Sequence, residues 1–323
     1  MKTNLRIVTA VFAVIALAAA PACQRRPLFQ IDNSLRLELV IHDTIAPVPL
    51  SVSEGMWMHR FCDRSSGRTV LNTYTGAEGG MVEIPAGRYS VVSNVFGTET
   101  VLFDGEGSFS GLKAYTNVAV ELTRSLGEVS AVVGTKAPQL PVASGEVVWE
   151  PDPLYAAVIE DAEIPFRDPD EPEITLRADA WPMVRNCRIV VRGASGQQHL
   201  SQAACFLSGV ARGRYLGNGE LLKDPVSLGI LLKTDPQADS LQADFRSFGF
   251  VDGVPKPLYV MLTDTGGGRY LFPFDVTGQC ENGEKPLTIY VDLDFEIPEP
   301  SSGGGGLAPS LEDWNVVFRT VSL

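Results

Sequence analysis

Chemistry needs a nucleophile, a base or a metal held within mutual reach, and this 323-residue chain offers few such sets. Gly107-Ser108-Phe109-Ser110-Gly111 has the outer glycines of a nucleophile elbow but puts Phe109 where the serine must stand. Neither a His-Glu-x-x-His pair nor a phosphate loop occurs, so zinc-hydrolase and nucleotide chemistry lose their main supports. His42, His59 and His199 are scattered and read as surface or edge-strand residues. The glycines of TGGGRY (265–270) lie between two apparent strands, with no helix dipole behind them to hold phosphate, and read as a hairpin turn. Asp168, Asp170, Glu171 and Glu173 present oxygens that suit calcium, yet they lack the glycine and spacing of an EF-hand loop and read better as a linker. No pair of carboxylates stands out for glycoside chemistry. Trp57, Trp149, Trp181 and Trp314 could stack on sugars, although large aromatics in sandwiches mostly serve packing. No residue is nominated as catalytic, and no cofactor or metal is expected.

The strongest chemical signal is Cys23. Lys2 and Arg6 supply a positive start, and Ile7 to Ala20 form an apolar run too short to span a bilayer stably. Ala20-Pro21-Ala22 then offers a small-residue cleavage site with Cys23 directly after it. That order is similar to the lipobox of bacterial lipoproteins, in which the cysteine sulfur carries a diacylglycerol and the new amino terminus is acylated. The alternative is an ordinary secreted chain whose mature end is a cysteine. Several acyl chains anchor far more firmly than one, so lipidation at Cys23 predicts a tethered protein.

A formal charge of −13 argues against nucleic acid, because phosphate binding needs a basic stripe and the sequence shows none. Beyond the leader no run approaches the length of a transmembrane helix. Cys62, Cys187, Cys205 and Cys280 show no C-x-x-C spacing. Cys187 and Cys205 flank a candidate hairpin and could form a disulfide after export; free buried thiols are the other reading.

The elements that must position anything functional are short alternating strands. LRLELVIH (35–42), MVEIP (81–85), YSVVSNV (89–95), NVAVEL (117–122), CRIVVRG (187–193), PLYVMLTD (257–264), RYLFPFDV (269–276) and LTIYVDLDFEI (287–297) all fit, with turn residues between them. In EIPAGRYSVV (83–92), Pro85 and a positive φ at Gly87 predict a hairpin turn, with Tyr89 packing on the sheet. The acidic, Pro-containing EDAEIPFRDPDEPEIT (160–175) predicts the domain boundary. After the Gly tract, WNVVFRTV predicts a final strand, closing its own sheet or adding to a neighbour's edge. The expected organisation is a signal peptide (1–22), a lipidated tether (23–34) and two β-sandwich domains (35–165 and 166–323).

The order of CQRRPL after the leader, VEIPAGRYSVVSNVFGTETVLFDGEGSFSGLKAYTNV (82–118), WEPDPLYAA (149–157), CFLSGVARG (205–213) and LEDWNVVF (311–318) resembles the fimbrillin-like lipoproteins of Bacteroidetes. This resemblance implies an all-β chain of two tandem transthyretin-like sandwiches, held at the outer membrane by its lipid. It implies a non-enzymatic structural or adhesive role, or an accessory role, in fimbria-like surface structures. In such pili a protease removes an amino-terminal strand and a strand of the next subunit fills the groove; Arg124 and Arg167 are the candidate cleavage points here. Gln24-Arg25-Arg26 after the cysteine leaves surface-exposed and periplasm-facing positions both open. The alternative function is a carbohydrate-binding surface lipoprotein, with glycans or a host surface as partner.

Overall fold

A computed structural model of the chain describes residues 32–42, 55–136, 140–143, 145–235, 237–281, 286–299 and 314–317. It is all-β apart from a few helical segments, and its strands form two sandwiches. In the first, β2 (Trp57–Asp63), β3 (Thr69–Thr75), β5 (Gly87–Val95) and β9 (Tyr155–Ile164) make one layer in the order β3-β2-β5-β9. The other layer is β10-β1-β4, from β1 (Ser34–Ile41), β4 (Gly79–Glu83) and β10 (Ile174–Pro182). Only Tyr155–Ala157 and Ala180–Pro182 join β9 to β10, and the ladder bends back there. Leu35, Leu37 and Val82 of one layer thereby pack with Phe61, Tyr89, Val91 and Ile164 of the other. Alternation in β1 makes this possible, since Leu35, Leu37 and Leu39 point inward while Arg36 and Glu38 face out.

The stretch 83–92 corrects the expected hairpin. β4 and β5 do not pair but stand at separate places in one seven-stranded ladder, whose two ends form the layers, so Pro85–Gly87 is a corner between layers. Gly87 is not in the left-handed region; a Cβ there would stand 2.9 Å from the Tyr89 hydroxyl. That hydroxyl donates to the Pro85 carbonyl at 2.9 Å, so the tyrosine ring holds the corner from inside.

The second sandwich sets β11 (Arg185–Ser195), β15 (Lys233–Asp235), β16 (Ser240–Ser247) and β19 (Leu287–Glu296), in the order β15-β16-β11-β19, against six further strands. These run β20-β18-β17-β12-β14-β8, from β8 (Val147–Val148), β12 (Leu200–Ala211), β14 (Pro225–Leu231), β17 (Pro257–Asp264), β18 (Arg269–Asp275) and β20 (Trp314–Val316). Ile189, Leu241, Phe245 and Ile289 meet Leu207, Leu258, Val260 and Phe272 in its core. Residues 265–268 turn β17 into β18 as expected, with the Asp264 carboxylate accepting from the Gly266 and Gly268 amides at 2.8 Å each. A short helix, Thr277–Glu281, lies beside β19. From it Gln279 applies its amide to the strand's outer rim: its nitrogen donates to the Tyr290 carbonyl and its oxygen accepts from the Tyr290 N–H, both at 2.8 Å.

Two expectations change at the junction. Asn117–Leu122 is not a strand; an α-helix, α1, runs Val120–Lys136. Leu122, Leu126, Val129 and Val133 recur at helical spacing, and the buried members press on Phe206, Tyr259 and Leu271 of the six-stranded sheet. The boundary expected at residue 165 also moves, because β9 and β10 on either side of it share the first sandwich. The charges and prolines of 160–175 mark the exposed end of a connection between neighbouring strands, while α1 and β8, from the expected first domain, cover the second sandwich. A three-stranded sheet, β13-β7-β6, from β6 (Val101–Asp104), β7 (Lys113–Thr116) and β13 (Gly213–Tyr215), further laces the halves together.

The possible Cys187–Cys205 bridge is not formed, and Cys62, Cys187, Cys205 and Cys280 are all buried free thiols. β11 and β12 are no hairpin but belong to different sheets, so the local pairing that the sequence suggested for the two cysteines does not exist. Burial pushes the Cys187 thiol up to about 11 and Cys280 up to about 12, and raises Cys205 and Cys62 as well. Iodoacetamide at about pH 8 should therefore leave these four unlabelled in the folded protein and label all of them in guanidinium, read by intact mass.

Candidate functional site

The feature that bears on function is the seating of β1. It is the central strand of its layer, parallel to β10 from Leu35↔Ile174 to Ile41↔Ala180 and antiparallel to β4 from Ser34↔Glu83 to Glu38↔Gly79. Gly79 permits the close approach of β4, since a Cβ there would fall 1.9 Å from the Leu37 carbonyl oxygen at a φ of +95°. Both backbone edges of β1 and its inward leucines are thus engaged, as an inserted strand's would be.

The start of β1 is tied down by Arg167. Its guanidinium pairs with the Asp32 carboxylate and donates to the Ser34 carbonyl and hydroxyl at 2.8 Å each, and the Asp32 N–H donates back to the Arg167 carbonyl at 3.1 Å. Hydrogen bonds from the Ser34 hydroxyl and amide, aided by the Arg167 charge, hold the Asp32 carboxyl below its usual range. Arg167 is 6% exposed, so this candidate cleavage point is enclosed. Arg124, the other candidate, projects from α1 into solvent and pairs with Glu121 at 2.9 Å. Between β1 and β2 the sequence has no Arg or Lys, and the first arginine after β1, Arg60, is 1% exposed. Its guanidinium donates to Asn94 at 2.5 Å and to Glu106 at 2.7 Å.

At the opposite end, the final strand expected from WNVVFRTV is β20, which pairs parallel with β18 over Arg269–Leu271 of its own chain. Cys23 lies outside the described residues. The histidines are not brought together. His59 is fully buried in β2, not on a surface, with its ring nitrogens 2.7 Å from Ser93 Oγ and Thr75 Oγ1. His42 stacks on Trp181 at 4.3 Å, and His199 ends a 3-10 turn before β12. Glu173 pairs with Arg36 at 2.8 Å across the β10–β1 ladder. Among the described residues no group of three His, Cys, Asp or Glu side chains could hold a metal. Trp57 is core, whereas Trp149 and Trp181 are about half exposed. The Arg167 tie escaped the sequence reading, because its partners are 133 and 135 residues away and only the fold aligns them.

The family model for DUF5119, a domain of unknown function, matches residues 22–230. The chain belongs to this family. Among its relatives, the "Putative fimbrium anchoring subunit Fim4B" of Bacteroides ovatus is 28% identical over 81% of this chain and 82% of its own. A crystal structure of a "putative adhesin" from Bacteroides ovatus covers 87% of this DUF5119 chain and 98% of that one, at 21% identity and a TM-score of 0.59. That likeness supports the two-sandwich fold. The fimbrial anchor protein Mfa2 from Porphyromonas gingivalis aligns over 80% of this chain and 89% of its own, at 13% identity and a TM-score of 0.49.

Proposed function

We propose that this DUF5119 chain is a non-enzymatic anchoring or accessory subunit of a fimbria-like surface structure, tethered to the outer membrane through lipid on Cys23. The observation that carries this reading is the seating of β1 between β10 and β4 with its start tied to Arg167. A subunit that polymerises by strand exchange must lose its own first strand, which requires a cut between that strand and the next. The intervening sequence offers no basic residue, Arg60 is buried within β2, and Arg167 fastens β1 at its start. A chain that keeps β1 also keeps its sandwich attached to whatever precedes Ser34. That is the mechanical requirement of a base: force on the subunit passes through β1, which is hydrogen-bonded on both sides, into the tether. The relative named as a fimbrium anchoring subunit supports the same role.

The test is Cys23→Ser expressed in the native host. The variant is expected to move from the membrane fraction to the periplasm or medium while remaining folded, and fimbria-like appendages, viewed by electron microscopy, should detach from cells. A variant still in the membrane fraction would place the anchor elsewhere. Unchanged appendages in a deletion strain would remove the fimbrial role.

A further inference from the structure

α1 covers only part of the outward face of the six-stranded sheet. Beside its first turns lies a groove of about 740 Å³, within the ~300–1,000 Å³ typical of small-molecule sites. Phe206, Leu231 and Met261, from three adjacent strands, are among its apolar lining residues, and Trp149 lines it from the segment just after β8. Trp149 is 51% exposed, and its backbone N–H donates to the Asn117 carbonyl at 3.1 Å, fixing the ring's point of attachment. Glu128 of α1, Gln202 of β12 and Thr263 of β17 bring hydrogen-bonding groups to the same space.

An exposed indole and apolar residues lining one groove with carboxylate, amide and hydroxyl groups match the two-sided chemistry of a sugar. Pyranose rings offer a C–H face for the aromatic ring and hydroxyls for the polar groups. A fatty chain would strip water from Glu128, Gln202 and Thr263 without replacing it, which is costly. Glu121 is paired with Arg124, and Glu128 balances the guanidinium of Arg269, which leaves no surplus of positive charge for an acidic sugar.

We infer that this groove is a binding site for neutral oligosaccharides, with Trp149 as the stacking platform and Gln202 as a hydroxyl-reading group. The inference goes beyond the anchoring role and does not depend on it, since sugar binding is read on the isolated protein.

The test is a printed array of neutral and acidic oligosaccharides probed with the full chain purified in detergent, followed by titration of the best ligand. At least one neutral glycan should bind and quench tryptophan fluorescence. Trp149→Ala should weaken it about ten-fold or more with an unchanged circular dichroism spectrum. Gln202→Ala should weaken it to a lesser degree, and Trp181→Ala, which alters the exposed ring on the other sandwich, should leave it unchanged. Binding of acidic glycans alone, of no glycan, or equally by Trp149→Ala would overturn the inference.

Discussion

Replacing Leu37 with aspartate is expected to unfold the first sandwich at temperatures where the parent chain is fully folded. Leu37 is 1% exposed and packs in the cluster that holds Phe61, Val82, Ile84, Tyr89 and Val91. Burying such a side chain contributes about 2–3 kcal/mol, and a carboxylate in its place meets one hydroxyl among those neighbours, that of Tyr89, which already donates to the Pro85 carbonyl. The combined loss of roughly 5 kcal/mol or more approaches the whole stability of a typical domain. Calorimetry should show the parent transition lost or displaced far downward, and amide exchange should accelerate through β1, β4 and β10. Glu38→Gln, one residue on and facing solvent, supplies the control and should leave the transition in place. A Leu37→Asp chain that melts like the parent would mean β1 is dispensable to the sandwich, and the argument for a retained strand would fall with it.

The second large effect is pH dependence through His59. Burial lowers its pKa from an ordinary 6.5 to about 4, and its ring bridges two hydroxyls without a countercharge. The sign follows from linkage: between these values the unfolded chain binds a proton that the folded chain refuses. Stability is therefore fully present above 6.5 and falls as pH drops through the window from 6.5 to about 4, by about 3 kcal/mol in all. Asp63, held near 2 chiefly by the Ser65 and Ser66 hydroxyls, contributes its own loss only at lower pH. Urea titrations at several pH values should show this slope in the parent. In His59→Gln, whose amide can still bond Ser93 and Thr75, the slope between pH 7 and 4 should largely disappear. An unaltered slope would assign the acid sensitivity to other groups.

Strand alternation was legible wherever one face meets the core and the other meets water. β1, β5, β11, β17, β18 and β19 lie close to where two-residue periodicity put them. Residues 117–122 misled because Val118, Val120 and Leu122 alternate locally, whereas the longer spacing of Leu122, Leu126, Val129 and Val133 belongs to a helix whose other side is solvated. β10 starts at the end of the segment read as a boundary, since proline and acid content report exposure and not which sheet the next strand joins. The free thiols depended on pairing order, which local sequence does not encode: β11 and β12 are consecutive in the chain yet lie in facing sheets. The candidate sites divide the same way. The lack of Arg and Lys between β1 and β2 is visible in the sequence, while the burial of Arg60 and Arg167 that gives it meaning arises only when distant strands align.

The side-chain amide of Gln279 has a consequence for how copies of the protein behave when crowded together. By imitating a peptide unit at Tyr290, it occupies the midpoint of a ten-residue border that would otherwise invite a neighbour to zip alongside. Molecules at high concentration collide constantly, and an open border there would drive sideways clumping. A single glutamine thereby blunts this border, and the tether proposed above would make that protection count for more by holding copies side by side.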